Sequence, residues 1–428
     1  MHDFTREEIL SVLAGLGIEL PPATKLPHEA LQKRLKQSLL AAQSFFNVLP
    51  APPVDPKSLT EWPLPEHEPD NTVLEAIKRS NLAEISANIQ AMRRGEHVAP
   101  EIFVNPVSDL RQTLMGIASV WDKGLRWCVI NDLESQVCTI SLRILSIHAL
   151  NSQTPLIVVL YRAFTIADAP AGVEWAQAQL QKSLASTIKA TVLEQKLILK
   201  LLGLNSKYLS HNYAPGKTPL ETDFTPSFFL PVGPLGFADI GKLNADTGCF
   251  LCGKKAASRC SQCQSVSYCG PECQHADWPN HKHTCRSLKG GSWRTIPFTR
   301  VMPGHEGSYS AYLNRFHSAT NFGSVRDPAN DSIPPPNIHG DKVFLVKLQL
   351  GVSSGMPNMM IYDRQQSFND SVFFVKDVNP QLFEEVQAEM SGPRSGYRGL
   401  KMYRFAKRLS DWELSICLDR KPQGEIKW

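Results

Sequence analysis

The stretch YCGPECQHADWPNHKHTC, Tyr268–Cys285, packs three cysteines and three histidines into a short span, and its spacing decides what kind of molecule this is. Read upstream, the same pattern continues: Cys249-x2-Cys252-x7-Cys260-x2-Cys263-x5-Cys269-x3-Cys273-x7-His281-x3-Cys285. These are four pairs of soft ligands. A two-residue gap lets a tight turn aim two thiolates at one ion. A three-residue gap places both side chains on one face of a helix, at i and i+4. His281 stands in that relation to Cys285. His283 is two residues from Cys285 and His275 two residues past Cys273, so neither shares the face. Tetrahedral zinc takes four Cys or His ligands in a closed structural site. Eight ligands therefore suit two Zn2+ ions: Cys249, Cys252, Cys260, Cys263, Cys269, Cys273, His281 and Cys285. The competing explanation, a cysteine-rich core without metal, does not account for four regularly spaced pairs. A segment this short cannot build a sufficient core alone, and metal supplies the missing stability.

Of the ten cysteines, seven lie in this span; Cys128, Cys138 and Cys417 stand in apolar contexts and read as buried small hydrophobes. A dense cluster in a reducing compartment points to metal, not to a disulfide framework. The chain has 428 residues, 42% hydrophobic and 20% charged, the composition of a soluble globular protein of two or three domains. A net charge of +4 is too small to argue for a nucleic-acid or membrane partner by bulk electrostatics. The N-terminus MHDFTREEIL lacks an apolar signal region, and the most apolar run, Pro155–Tyr161, is too short to span a bilayer. The expectation is an intracellular protein, of nucleus or cytoplasm.

Outward from the cysteines, the chain divides by pattern. Residues 1–49 read as helices: Thr5 and Glu8 form a capping box, and a second helix starts near Pro27. Residues 50–70 carry seven prolines and read as a linker. Residues 71–210 read as a helical region, including CVINDLESQVCTISLRILSIHAL, whose β-branched content keeps strand open as the alternative. Residues 211–248 read as a connecting loop, 249–285 as the zinc module, 286–341 as a loop-rich connection. Residues 342–428 read as α+β, with strands in KVFLVKLQL, NMMIYDR and SVFFVKDV, a helix in PQLFEEVQAEM, and a hairpin formed by GLKMYRFAKR and DWELSICLD. The fold class expected is α+β multidomain: a helical N-terminal region, a small two-zinc module and a β-rich α+β C-terminal region. Gly392–Arg408 holds six basic residues and no acid; a solvated hairpin face answered by Asp411, Glu413 and Asp419 is the reading preferred.

The motifs CxxC, CxxC, YCGPECQ, Trp278, His281–Lys282 and Cys285 resemble a MYND-type zinc finger. Gly270 departs from the serine usual there, at a position that is not a ligand. The resemblance implies interleaved sites, with Cys249, Cys252, Cys269 and Cys273 on one zinc and Cys260, Cys263, His281 and Cys285 on the other. It also implies a protein-interaction module, in several members one that takes short proline-containing peptides in a shallow groove. The matching groove positions are Ser267, Gln274 and Trp278. The alternative role for Trp278 is packing in the finger's small core. MYND fingers also occur in SET-and-MYND lysine methyltransferases, and Asn314–Asn321 and Trp412–Asp419 faintly resemble SET elements. The contiguous Asn-His-Ser-Cys element, a convincing Gly-rich cofactor segment and a Cys-rich post-SET element are missing. The layout loosely resembles fungal MYND-domain proteins. The expected function is non-enzymatic: a zinc-binding protein acting through a protein partner, with regulation or scaffolding as its role and a divergent methyltransferase as the alternative.

Overall fold

The structure is a computed structural model. It describes all residues except 1–2, 19, 22, 50–52, 64–71, 79–104, 133–137, 181–184, 236–238, 241–242, 244–247, 256, 264, 302–303, 305, 308–309, 313–323, 327, 352–356, 364–366, 369–371, 396, 398 and 423–428. By contact, the chain forms two units: 1–17 with 31–235, and 18–30 with 236–428.

The first unit opens as its sequence suggests. Helix α1, Arg6–Gly15, starts at Thr5, whose hydroxyl accepts from the Glu8 N–H while the Glu8 carboxylate accepts from the Thr5 N–H. Helix α2 spans His28–Ala42, and a single turn, α3, Phe45–Val48. Helices α4 (Val73–Ile77) and α5 (Pro106–Asp122) follow. Most of the expected helix between Asp70 and Met92 lies outside the described residues.

Here the helical reading of 71–210 is corrected. Strands β1 (Trp127–Asn131) and β2 (Cys138–Asn151) replace the helix expected in CVINDLESQVCTISLRILSIHAL, and β3 (Thr154–Thr165) follows them. The long run after Gly172 splits into helix α6 (Ala169–Leu180), strand β4 (Ala185–Lys189) and helix α7 (Val192–Asn205). Strand β5, Thr225–Phe229, occupies what reads as a connecting loop. The sheet order is β4-β1-β2-β3-β5, with only the β1/β4 pair parallel. In β3 burial on both sides hides the strand pattern. Leu156 through Leu160 are all fully buried, so the strand shows a continuous apolar run with no alternation to betray it. The Pro-rich 50–70 stretch is no free linker where it is described. Val54 bridges to Leu209, Glu61 to His148, and Trp62 is buried.

The second unit is built on a six-stranded antiparallel sheet. After the short strands β6 (Ser258–Arg259) and β7 (Ser267–Tyr268) and helix α8 (Pro271–Leu288), strand β8 covers Trp293–Pro297. A small pair, β9 (Ser310–Tyr312) with β10 (Ser324–Arg326), precedes β11 (Phe344–Leu350), β12 (Asn358–Asp363) and β13 (Val372–Val375). Helix α9, Pro380–Ser391, then leads to the hairpin β14 (Lys401–Ser410) and β15 (Glu413–Cys417). The order is β13-β12-β11-β14-β15-β8. Helix α9 sets Leu382, Phe383, Val386 and Met390 against Val346, Leu348, Ile361, Phe374, Met402 and Ile416 on one face. The 286–341 connection therefore contributes a strand, β8, to this sheet.

The basic run is not wholly a solvated face. Arg404 is buried and donates to Glu389 and to the Leu418 carbonyl. Arg408, also buried, donates to the carbonyls of Pro335, Ser410 and Asp411 and lies 4.9 Å over the Phe298 ring. Their hydrogen-bond acceptors are Glu389 and main-chain oxygens, and of the three carboxylates expected to answer them Asp411 favours the Arg408 charge through space. Cys128 and Cys417 are fully buried, as small apolar side chains. Among the described residues no helix is long and apolar enough to cross a membrane.

Candidate metal centre

Two turns and one helix assemble the cysteine cluster. The first turn runs from Cys249 to Gly253. It is closed by the Gly253 N–H donating to the Cys249 carbonyl and the Cys249 N–H donating to the Lys254 carbonyl, both at 2.8 Å. Gly253 has φ +73°, a left-handed conformation that glycine adopts without strain. The second turn, Cys260–Cys263, is tied by the Cys260 N–H to the Val266 carbonyl at 2.8 Å. Strands β6 and β7 pair antiparallel with Arg259 opposite Ser267. Helix α8 carries Cys273, Asp277, His281 and Cys285 at four-residue intervals, all buried on one face.

The donors converge as two quartets: Cys249, Cys252, Cys269 and Cys273 in one, Cys260, Cys263, His281 and Cys285 in the other, all donor atoms of each within 4.8 Å of one another. In the first, the sulfurs of Cys252 and Cys269 are 3.4 Å apart and those of Cys269 and Cys273 3.6 Å. In the second, the sulfurs of Cys260 and Cys285 are 3.9 Å apart, and His281 Nε2 lies 3.4 Å from the Cys263 sulfur. Two thiolates bound tetrahedrally at about 2.3 Å from one ion stand about 3.8 Å apart, so these spacings fit zinc. Each quartet supplies four ligands and closes the tetrahedron. Zinc bound by these residues would contribute folding energy and hold the turns to the helix, as in closed structural sites.

The electrostatics fit the same occupant. Burial pushes the Cys249 thiol upward, but the N–H groups of Cys252, Cys269 and Leu251 outweigh it and hold the group down at about 6. Cys273 and Cys285 are driven up to about 12, first by burial and then by the neighbouring thiols. Thiols so crowded ionise together only around a cation. Burial lowers the His281 pKa against the pull of Asp277, which favours the neutral, ligating imidazole.

Sequence reading missed the residues behind the ligands. The Tyr268 hydroxyl donates to Asp277 Oδ2 at 2.6 Å, and the Tyr268 ring meets the His281 ring edge-on at 6.0 Å. Asp277 was within reach of the same four-residue stripe that gives His281. The exposed His275 and His283 stand outside both quartets. Gln274 and Trp278 lie one turn apart on α8, with Ser267 on the adjoining strand β7. Trp278 is 36% exposed, and its ring is 6.1 Å from that of His281. It therefore both leans on a ligand and faces solvent.

Residues 249–285 match the family model described as the MYND finger. The chain carries a MYND finger. Similar curated proteins include Protein CBFA2T2 of Mus musculus, 42% identical over 64 residues, 14% of this chain and 10% of that protein. Tudor domain-containing protein 1 of Mus musculus is 31% identical over 80 residues, 19% of this chain and 7% of the relative. Histone-lysine N-methyltransferase SMYD3 of Homo sapiens is 49% identical over 47 residues, 11% of each chain. The chain thus spans about a tenth of the length of these relatives. No solved structure matches it. A MYND finger is a protein-interaction domain with two zinc sites, and both sites are built here.

Proposed function

We propose that the protein is a non-catalytic regulatory or scaffolding factor of the cell interior, in nucleus or cytoplasm, whose finger holds a protein partner through a proline-containing segment. The observation that carries this reading is Trp278. It is a large aromatic side chain, outside both ligand sets, exposed on the ordered helix that zinc fixes, with Gln274 one turn before it. Exposed aromatics on rigid elements are the residue type that dominates interface energetics. The finger's basic residues form no stripe with base-reading side chains, so neither nucleic acid nor membrane is part of this reading.

The test is a quantitative pull-down with wild-type and Trp278→Ala protein, each checked for zinc. Partners lost from the variant while two equivalents of zinc remain support the reading. Identical partner sets overturn it. The enzymatic alternative has its own assay. The likeness to the methyltransferase SMYD3 is confined to the span of the finger, and the Asn314–Asn321 segment lies outside the described residues. Calorimetry with S-adenosylmethionine is expected to show no binding, and tight binding would replace this proposal.

A further inference from the structure

The finger is touched by a distant piece of its own chain. Residues 18–30, the connection from α1 and the first three residues of α2, belong by contact to the second unit although both flanking stretches belong to the first. The contact is specific. The Lys25 N–H donates to the Leu251 carbonyl at 2.7 Å, and the Thr24 hydroxyl donates to the same oxygen at 3.2 Å. Ala23 packs into the finger's core, and a Cβ placed at Gly253 would lie 2.8 Å from Leu26 Cδ2. Thr24 is buried, Lys25 exposed.

Leu251 and Gly253 are not arbitrary positions. Leu251 sits inside the turn between Cys249 and Cys252, and Gly253 closes it. The direction of the Leu251 carbonyl is therefore set by the turn that presents two thiolates to one ion. If the Cys249/Cys252/Cys269/Cys273 site loses its metal, only main-chain hydrogen bonds are left to hold the turn, and the acceptor for both bonds is no longer fixed in direction. We propose that Ala23–Leu26 is a metal-dependent clasp, docked in cis on the zinc turn and released when that site is emptied. The glycine at 253 serves it twice, by taking the left-handed backbone and by leaving room for Leu26. Because the clasp lies between α1 and α2, the metal state of the finger is reported to a stretch of chain outside the finger.

Lys25 provides the readout, since trypsin cuts after an exposed lysine followed by leucine once the segment can leave its dock. Full-length zinc-loaded protein is digested briefly and the 1–25 fragment followed by mass spectrometry. Removing zinc with a chelator is expected to raise the rate at Lys25 by about tenfold or more, because proteolysis follows the population of the open form. Gly253→Asn tolerates the left-handed backbone but intrudes on Leu26, and is expected to raise the rate with two equivalents of zinc retained. Thr24→Val leaves the finger's sequence intact and removes one of the two bonds, so it reports the same release should Gly253→Asn shed metal. A rate at Lys25 unchanged by chelation, or unchanged in Thr24→Val, overturns the proposal.

Discussion

Asp277 shows how a single side chain couples a zinc site to its surroundings. One carboxylate oxygen accepts from Tyr268; among the described residues the other, also buried, has no hydrogen-bond partner. Tyr268→Phe would leave the carboxylate buried without its donor, a loss of about 1–3 kcal/mol. Groups behind metal ligands commonly tune affinity about 10–100-fold, so weaker zinc retention in competition with a chromophoric chelator is the expected outcome. In the first unit, His148 offers a pH prediction. Burial depresses its pKa below the ordinary 6.5, against the Leu59 carbonyl and Glu61. The unfolded chain then takes up the proton more readily than the folded one. Stability from this group is fully present above pH 6.5 and is lost as pH falls through the folded value. Urea midpoints should fall with acidification below that pH, and less steeply in His148→Gln.

Burial pattern separates the elements that can be read from sequence from those that cannot. The capping box at Thr5, strand β11 and helix α9 announce themselves, because each shows a polar cap or an alternation of buried and less buried positions. The ligands announce themselves because metal geometry constrains spacing as strictly as a helix does. Strand β3 does not, since its two buried faces erase the alternation, and β5 is hidden by its Pro-rich flanks. Tyr268 and the clasp at Ala23–Leu26 were illegible for another reason: they matter through contacts that no local spacing encodes. The strand assignment has an energetic consequence. Leu156 is fully buried in β3, so Leu156→Ala should cost about 2–5 kcal/mol in urea unfolding. Val173 on α6 is 53% exposed, and Val173→Ala should stay within about 0.5 kcal/mol of wild type. Equal effects at the two positions would contradict the placement.

The finger is not a bead on a string. Its core of Leu251, Tyr268, Leu288 and the ligand cysteines is continuous with Cys417, and Trp293, Val343 and Phe405 pack against the same cluster. Those residues come from β8, β14, β15 and the approach to β11, on the sheet face away from α9. Helix α8 runs almost directly into β8, which pairs with β15 from Glu413 to Cys417. A module that can be emptied without touching its neighbours is the simplest expectation, and the first unit has its own sheet and its own buried clusters to support it. The C-terminal sheet does not fit it. Zinc removal takes away part of the support for one face of β14 and β15, while α9 keeps the other. Hydrogen exchange read by mass spectrometry distinguishes the two outcomes segment by segment. On chelation, or in Cys260→Ser, protection should fall in 249–288 and also in β8, β14 and β15. Protection in β2 and β3 should be unchanged. Loss confined to 249–288 would make the finger a detachable module after all. Loss in β2 and β3 as well would mean that the zinc sites support the whole chain, and the exposed face of Trp278 would then be incidental to a structural role.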